Sequence, residues 1–358
     1  MIDAPPWKQW GYSLPGGIRK KAKGETMNVR RTARATCLLV LACFLSLAAQ
    51  AQIFRAYVSS TGNDANACTL QAPCRLLPAA LAAVADGGEV WMLDSANYNT
   101  ATVNISKSVT ILAIPGAVGS IVSTGGGDAI LVSGSSIVVN LRNLVVVALG
   151  SSAAGITFGN GQTLTVAGCD ISNVAPAIFA EAPGSSVMVV DTVIRNASTG
   201  IRVSSTANAM IDHVRISGGI TGVHVSTLGR ASVTDSVISG AQTGVDVLAQ
   251  GGTARLTLER TRISGVNYAV FVGTSTALDV AEASVSRSVL THNSNAAIAT
   301  QQAASSTASV IVGDTVITEN AYGFQFISGG TIYTRGNNTL LYNGSDVSGG
   351  SLSSMAGM

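Results

Sequence analysis

The sequence predicts an all-β chain wound as a right-handed, single-stranded parallel solenoid with a short helix at its amino-terminal end. Three observations lead there. Three near-copies of one pattern lie head to tail, VMVVDTVIRNASTGIRV, AMIDHVRISGGITGVHV and ASVTDSVISGAQTGVDV. In them Ile194, Ile216 and Ile238 stand 22 residues apart, and Ile201, Val223 and Val245 each follow by 7. A fixed period of this length marks a repeat architecture. The runs are short, β-branched and joined by Asn or Gly corners with no helical pattern between them, which excludes a sheet built from βαβ units. Finally, 47% apolar and 11% charged residues with 39 glycines give a uniform texture, enough for one long core and too even for several unrelated domains. Wound in parallel, each backbone donor pairs with the coil above or below at about 4.8 Å, and the usual hand of parallel crossovers makes the winding right-handed.

In chain order, residues 1–26 show no periodicity and read as a non-translated or disordered extension, because Lys23, Gly24 and Glu25 fit a purine-rich stretch ahead of a start at Met27. Residues 27–51 read as a signal peptide. Arg30, Arg31 and Arg34 form its basic region, residues 37–48 its apolar region, and Ala49-Gln50-Ala51 its cleavage site before Gln52. About a dozen apolar residues fall short of the roughly 20 that span a bilayer. The expectation is export, to the periplasm or the medium, with no transmembrane segment in the mature chain. Residues 1–51 hold eight of the 21 basic and two of the 19 acidic residues, leaving 21 − 8 = 13 and 19 − 2 = 17, a net charge of −4, on residues 52–358. Lys107 is the only lysine there. Such a chain lacks the cation clusters that neutralise phosphates, which excludes nucleic acid as a partner; a monomer is expected.

Residues 52–102 read as an amino-terminal cap. Cys68 and Cys74 flank a tight Thr-Leu-Gln-Ala-Pro loop and, in an oxidising compartment, are expected as a disulfide rather than as free thiols or a metal site. Cys169 falls within the repeats, where burial as a small apolar residue accounts for it. The run PAALAAVA, residues 78–85, begins with a proline tolerated in a first turn and stops at Asp86-Gly87-Gly88, which predicts a short helix. Placed before the first coil, it would cover the open end of the stack. GGEVWMLDSANY reads as strand and turn, and ATVNISKSVTILAIPG as two more strands.

Coils are expected over residues 103–347 and can be followed from about Ile121 by two apolar ladders. One is Ile171, Ile194, Ile216, Ile238, Ile263, Leu290, Ile317, Leu340; the other is Ile178, Ile201, Val223, Val245, Val270, Ile298, Phe324, Val347. Length varies only after the second ladder position. Two residues past the first ladder comes Asn173, Asn196, Gly218, Gly240 or Gly265, types that tolerate a left-handed corner, and Asn293, Asn320 and Asn343 are expected to take over that corner one place later. Residues 348–358 read as a flexible tail, without the aromatic-rich strands of an outer-membrane translocator.

These repeats resemble the right-handed parallel β-helix of the pectin lyase-like superfamily over residues 103–347. The segment YVSSTGNDANACTLQAPC, followed by AALAAVADGGEVWMLDSANY and ISKSVTI, resembles the amino-terminal cap of many exported bacterial members. The resemblance implies fold and export. It does not imply one activity, because members include lyases, hydrolases, esterases, epimerases, adhesins and chains with no assigned role.

In enzymes of that group the substrate lies along the outer face of one sheet, which directs attention to the side chains beside the second ladder. Arg202, His224 and Asp246 follow inward residues on three successive coils, with Phe179 and Glu181 one coil before and Phe271 one coil after. As a catalytic row they would suit an acidic sugar, Arg202 holding a uronate, His224 carrying a proton and Asp246 orienting it, with Phe179, Glu181 and Phe271 binding ligand. The bland reading is outward polarity with stacked opposite charges. A second row, Asp191, His213, Asp235, Arg260, Arg287 and Asp314, sits beside a corner and reads as turn chemistry. The paired aspartates that the resemblance would imply for a polygalacturonase are replaced by Thr199-Gly200, Thr221-Gly222 and Thr243-Gly244, and Arg262-Ile263-Ser264 matches its Arg-Ile-Lys only in part. Asp246 alone makes no calcium cage, so calcium belongs only to a lyase alternative and no other cofactor or metal is expected. The function expected is an exported β-helix, non-catalytic or of undetermined activity, presenting a face to a polysaccharide or cell-surface glycan; the alternative is a polysaccharide lyase or hydrolase acting on an acidic polymer.

Overall fold

The computed structural model describes residues 52–123, 126–148 and 153–355. The extension and signal peptide expected over residues 1–51 lie outside the described residues. From Gln52 onward the chain forms one compact unit. Its strands form three parallel sheets, one strand of each per coil. Sheet A has 13 described strands, running from Ile53–Val58 to Ser353–Ser354, and sheets B and C have 11 each, ending at Thr339–Leu341 and Ser345–Ser348. A central coil runs Asn208–Asp212 in sheet A, Arg215–Ser217 in B and Thr221–Ser226 in C. The fold is the predicted parallel β-solenoid.

The two ladders read from the sequence form the inner faces of sheets B and C. Ile194, Ile216 and Ile238 are register partners, as are Ile201, Val223 and Val245. All are buried, and each contributes about 1.5–3 kcal/mol by leaving water. Sheet A adds a third ladder, Val189, Ile211, Val233, Leu258, Val285 and Val312. It precedes the first ladder by a constant five residues, a signal as regular as the two that were followed. The Thr-Gly step of each repeat also has a packing cause. A Cβ on Gly222 would stand 2.5 Å from the Gly244 carbonyl oxygen and 2.7 Å from Ile238 Cγ2, so only glycine lets the coil close.

The corner between sheets B and C corrects one expectation. Asn173, Asn196, Gly218, Gly240 and Gly265 are left-handed as predicted, but in later coils the same position is held by His292, Glu319 and Tyr342 with φ of 55°, 56° and 57°. The corner does not move to the asparagines. Asn293 and Asn320 are instead buried beneath it and, with Asn343, form a ladder. Asn293 Nδ2 donates to Asn320 Oδ1 at 2.7 Å, and Asn320 Nδ2 to Asn343 Oδ1 at 3.0 Å. Each of those oxygens also accepts the backbone N–H one coil before, from Asn293 at 3.1 Å and Asn320 at 3.2 Å. An asparagine at this depth satisfies the backbone that a turn exposes, a task unrelated to left-handed tolerance.

Both ends differ from the reading. The helix spans Leu77–Ala83 and stops before residue 85, because Val84 is already extended and opens the strand Val84–Met92. Leu77, Ala80 and Leu81 are buried, and the helix packs on Ile53–Val58, Val84–Met92 and Val103–Ile105, covering the first coil as expected. The cap itself supplies the first two strands of sheet A, so stacking begins before residue 103. Cys68 and Cys74 are disulfide-bonded, and Cys74 bridges Val58. At the other end, the expected tail adds a strand, Ser353 and Ser354 pairing with Tyr333 and Thr334. Among the described residues no helix is long and apolar enough to cross a membrane.

Candidate functional site

Along a strand, side chains alternate in and out, so the residue after each second-ladder position faces outward from sheet C. Phe179, Arg202, His224, Asp246 and Phe271 are register partners in that order. The structure therefore stacks the row as the repeat spacing requires, but does not join it into one cluster. His224 Nδ1 lies 2.8 Å from Asp246 Oδ2, with side chains 18% and 19% exposed. Arg202 turns the other way and lies over the Phe179 ring, 5.0 Å from its centroid. Its register neighbours are Phe179 and His224, so the ring is the partner within reach that complements a cation. Glu181 follows the strand Ile178–Ala180 and forms no ion pair with Arg202 among the described residues. Phe271 meets Tyr268 edge to face at 5.8 Å, and Tyr268 Oη accepts from Asn295 Nδ2 at 2.8 Å.

An imidazole that donates from Nδ1 to a carboxylate keeps its lone pair on Nε2, so His224 with Asp246 can carry a proton at Nε2. Asp246 Oδ1 is buried with no hydrogen-bond partner among the described residues, so His224 alone holds the carboxylate. This row does not fit calcium, which takes six to eight oxygens, because it offers one carboxylate, already bonded to His224.

The second row behaves as turn chemistry. Asp191, His213, Asp235, Arg260, Arg287 and Asp314 all take left-handed φ between 45° and 53° at the corner between sheets A and B. Arg260 clasps Asp235 through Nε at 2.8 Å and Nη2 at 2.7 Å, and Arg287 pairs with Glu259. His213 Nδ1 lies 2.8 Å from Asp212 Oδ2, and Thr234 Oγ1 donates to Asp212 Oδ1 at 2.7 Å. Thr234 and then His213 hold the Asp212 carboxyl below its usual range, Arg260 does the same for Asp235, and Asp212 raises the His213 imidazole. Asp212, His213 and Asp235 could gather three ligand atoms within 4.8 Å, yet Asp212 is already bonded to Thr234 and His213, and Asp235 to Arg260. Beneath this corner Cys169 is buried, its thiol pushed up to about 11 by burial, and its backbone N–H meets Thr192 Oγ1 at 3.4 Å. It is the small buried residue expected.

Sequence reasoning missed the outer face of sheet A. A groove of about 400 Å³ lies there, lined by Ser186, Asn208, Met210, Arg230, Ser232 and Arg255 among others. Arg230 and Arg255 are register partners, three residues before Val233 and Leu258 of the third ladder. Following that ladder would have exposed the pair.

The fold is that of a right-handed parallel β-helix, with candidate faces on sheets C and A. Residues 116–260 match the family model described as right handed beta helix region. Among solved structures, the chain is similar to pectate lyase Pel9A at 14% identity, with 84% of this chain and 79% of that one covered and a TM-score of 0.53. It is similar to an alginate lyase from Paenibacillus sp. str. FPU-7 at 13% identity, covering 83% and 99% with a TM-score of 0.51. It is also similar to XylC in complex with xylose at 9% identity, covering 78% and 70% with a TM-score of 0.56. At these identities the likeness is one of fold. No curated protein matches the chain in sequence.

Proposed function

We propose that this is an exported, monomeric β-helix protein whose sheet C face binds a polysaccharide or cell-surface glycan without transforming it. One observation carries the reading. The row ends in aromatic groups, Phe179 and the Tyr268–Phe271 pair, yet only two of its three expected catalytic residues meet. Rings beside half-buried polar groups suit sugar rings, which present apolar faces and hydroxyl edges. Catalysis on an acidic polymer would need more ionisable groups converging, and Arg202 lies over Phe179 instead. That the similar structures include a pectate lyase, an alginate lyase and a complex with xylose is in keeping with a carbohydrate ligand.

The His224–Asp246 pair favours a second reading, a lyase or hydrolase in which His224 Nε2 moves the proton. One experiment separates the two. The purified protein is incubated with acidic and neutral polysaccharides, with and without calcium, and scored for both retention and product, beside the Arg202→Ala, His224→Ala double variant. Retention without product, lost in the double variant, supports binding. Product that disappears in the variant overturns it in favour of catalysis.

A further inference from the structure

Beyond that reading, and on a different sheet, we infer that the groove on sheet A is a second binding site, one that takes the sulfate ester of a sulfated polymer. Arg230 and Arg255 stand in register on adjacent strands, about 4.8 Å apart, so two guanidinium groups line one groove. Arg255 gives its Nε to Glu282 Oε2 at 2.6 Å, which leaves its two terminal nitrogens free for a ligand. Arg230 has no side-chain partner among the described residues. Two cations and one carboxylate leave a single positive charge over the groove, which matches a monoanion.

The remaining lining decides which monoanion. The hydroxyls of Ser186, Ser232 and Thr257 line the same groove and are free of any hydrogen bond among the described residues. A carboxylate presents two oxygens, and two forked guanidinium groups saturate both. A sulfate ester carries the same single charge on three terminal oxygens, so the third is left for a hydroxyl. Met210, 52% exposed, gives the adjoining sugar ring an apolar contact. A mature chain of net charge −4 attracts no polyanion by its overall field, so binding here requires this local pair.

The test is calorimetric titration of the purified protein with dextran sulfate, dextran and polygalacturonate, with inorganic sulfate as competitor. Dextran sulfate is expected to bind, dextran to give no signal, and polygalacturonate to bind at least about tenfold more weakly. Arg230→Ala and Arg255→Ala should each weaken dextran sulfate about tenfold, the scale of one charged hydrogen bond, with Arg230→Lys recovering part because it keeps charge but not the fork. Inorganic sulfate should compete. Unchanged melting shows that the variants fold. Dextran sulfate bound equally by Arg230→Ala, an equal affinity for polygalacturonate that also falls in Arg230→Ala, or no binding of dextran sulfate overturns the proposal. Arg202→Ala is expected to leave this binding intact, so the sheet C reading stands or falls separately.

Discussion

On sheet C, His224 and Asp246 face one another across neighbouring coils at 2.8 Å and Arg202 covers Phe179; on sheet A, Arg230 and Arg255 face one another, and the one carboxylate, Glu282, pairs with Arg255 from the next coil. The same stacking rule made both rows. In a parallel solenoid each side chain meets the residue one period later, so the order of residue types along a row fixes its chemistry. A basic residue followed by an acidic one is neutralised within the fold, whereas two basic residues in succession leave donors for a ligand. Spacing alone therefore locates candidate rows, and the sequence of charges along a row tells whether its groups remain available.

The largest effect should come from the core both faces share. Ile216→Asp buries a charge beneath sheet B and is expected to cost more than about 4 kcal/mol. Both faces should then be lost together in a melting experiment; an unchanged transition would mean that the inner and outer faces are reversed. Next comes Asn320→Ala, which strips acceptors from the Asn293 N–H and side chain and a donor from Asn343. It should cost about 3 kcal/mol by denaturant titration, whereas a loss below about 1 kcal/mol would show the ladder to be incidental.

Acid should act on the cap through Asp94. Burial pushes the Asp94 carboxyl up, but donors from Tyr98, Ser60 and Ser59 outweigh it and hold the group at about 2. The unfolded value is about 3.9. The folded pKa is the lower one, so this contribution is complete above about pH 4 and lost as pH falls towards 2. Melting temperature should drop across that window, and Asp94→Asn should flatten the drop. The smallest effects sharpen the comparison of the faces. His224→Ala leaves half-buried Asp246 with no hydrogen bond and should cost about 1–3 kcal/mol, while Arg230→Ala should stay within about 0.5 kcal/mol. Equal costs would mean that both rows serve the fold alike.

What the sequence disclosed follows from what repeats strictly. The Ile216 and Val223 ladders were legible because sheets B and C keep a nearly constant offset, and the sheet A ladder through Val233 was equally regular but was not followed, which hid Arg230 and Arg255. Stacking of Arg202, His224 and Asp246 was also legible. The turn of Arg202 onto Phe179 was not, because a long side chain chooses between neighbours by reach and chemistry that spacing does not encode. Asn293 and Asn320 misled because asparagine serves both left-handed corners and buried ladders. Asp279 shows the same limit in the loop after the strand Tyr268–Thr274. Its buried carboxylate accepts from the backbone N–H groups of Gly251 and Gly252 and from Thr276, tying two coils together through contacts 27 and 28 residues apart.

The most direct test of the contrast between the faces is thermal melting with and without dextran sulfate in three proteins, the wild type, His224→Ala and Arg230→Ala. Ligand that binds only the folded state raises the transition. The account predicts that dextran sulfate raises it in the wild type and in His224→Ala but not in Arg230→Ala. A shift that survives Arg230→Ala and disappears in His224→Ala would place the open charge on sheet C and contradict it.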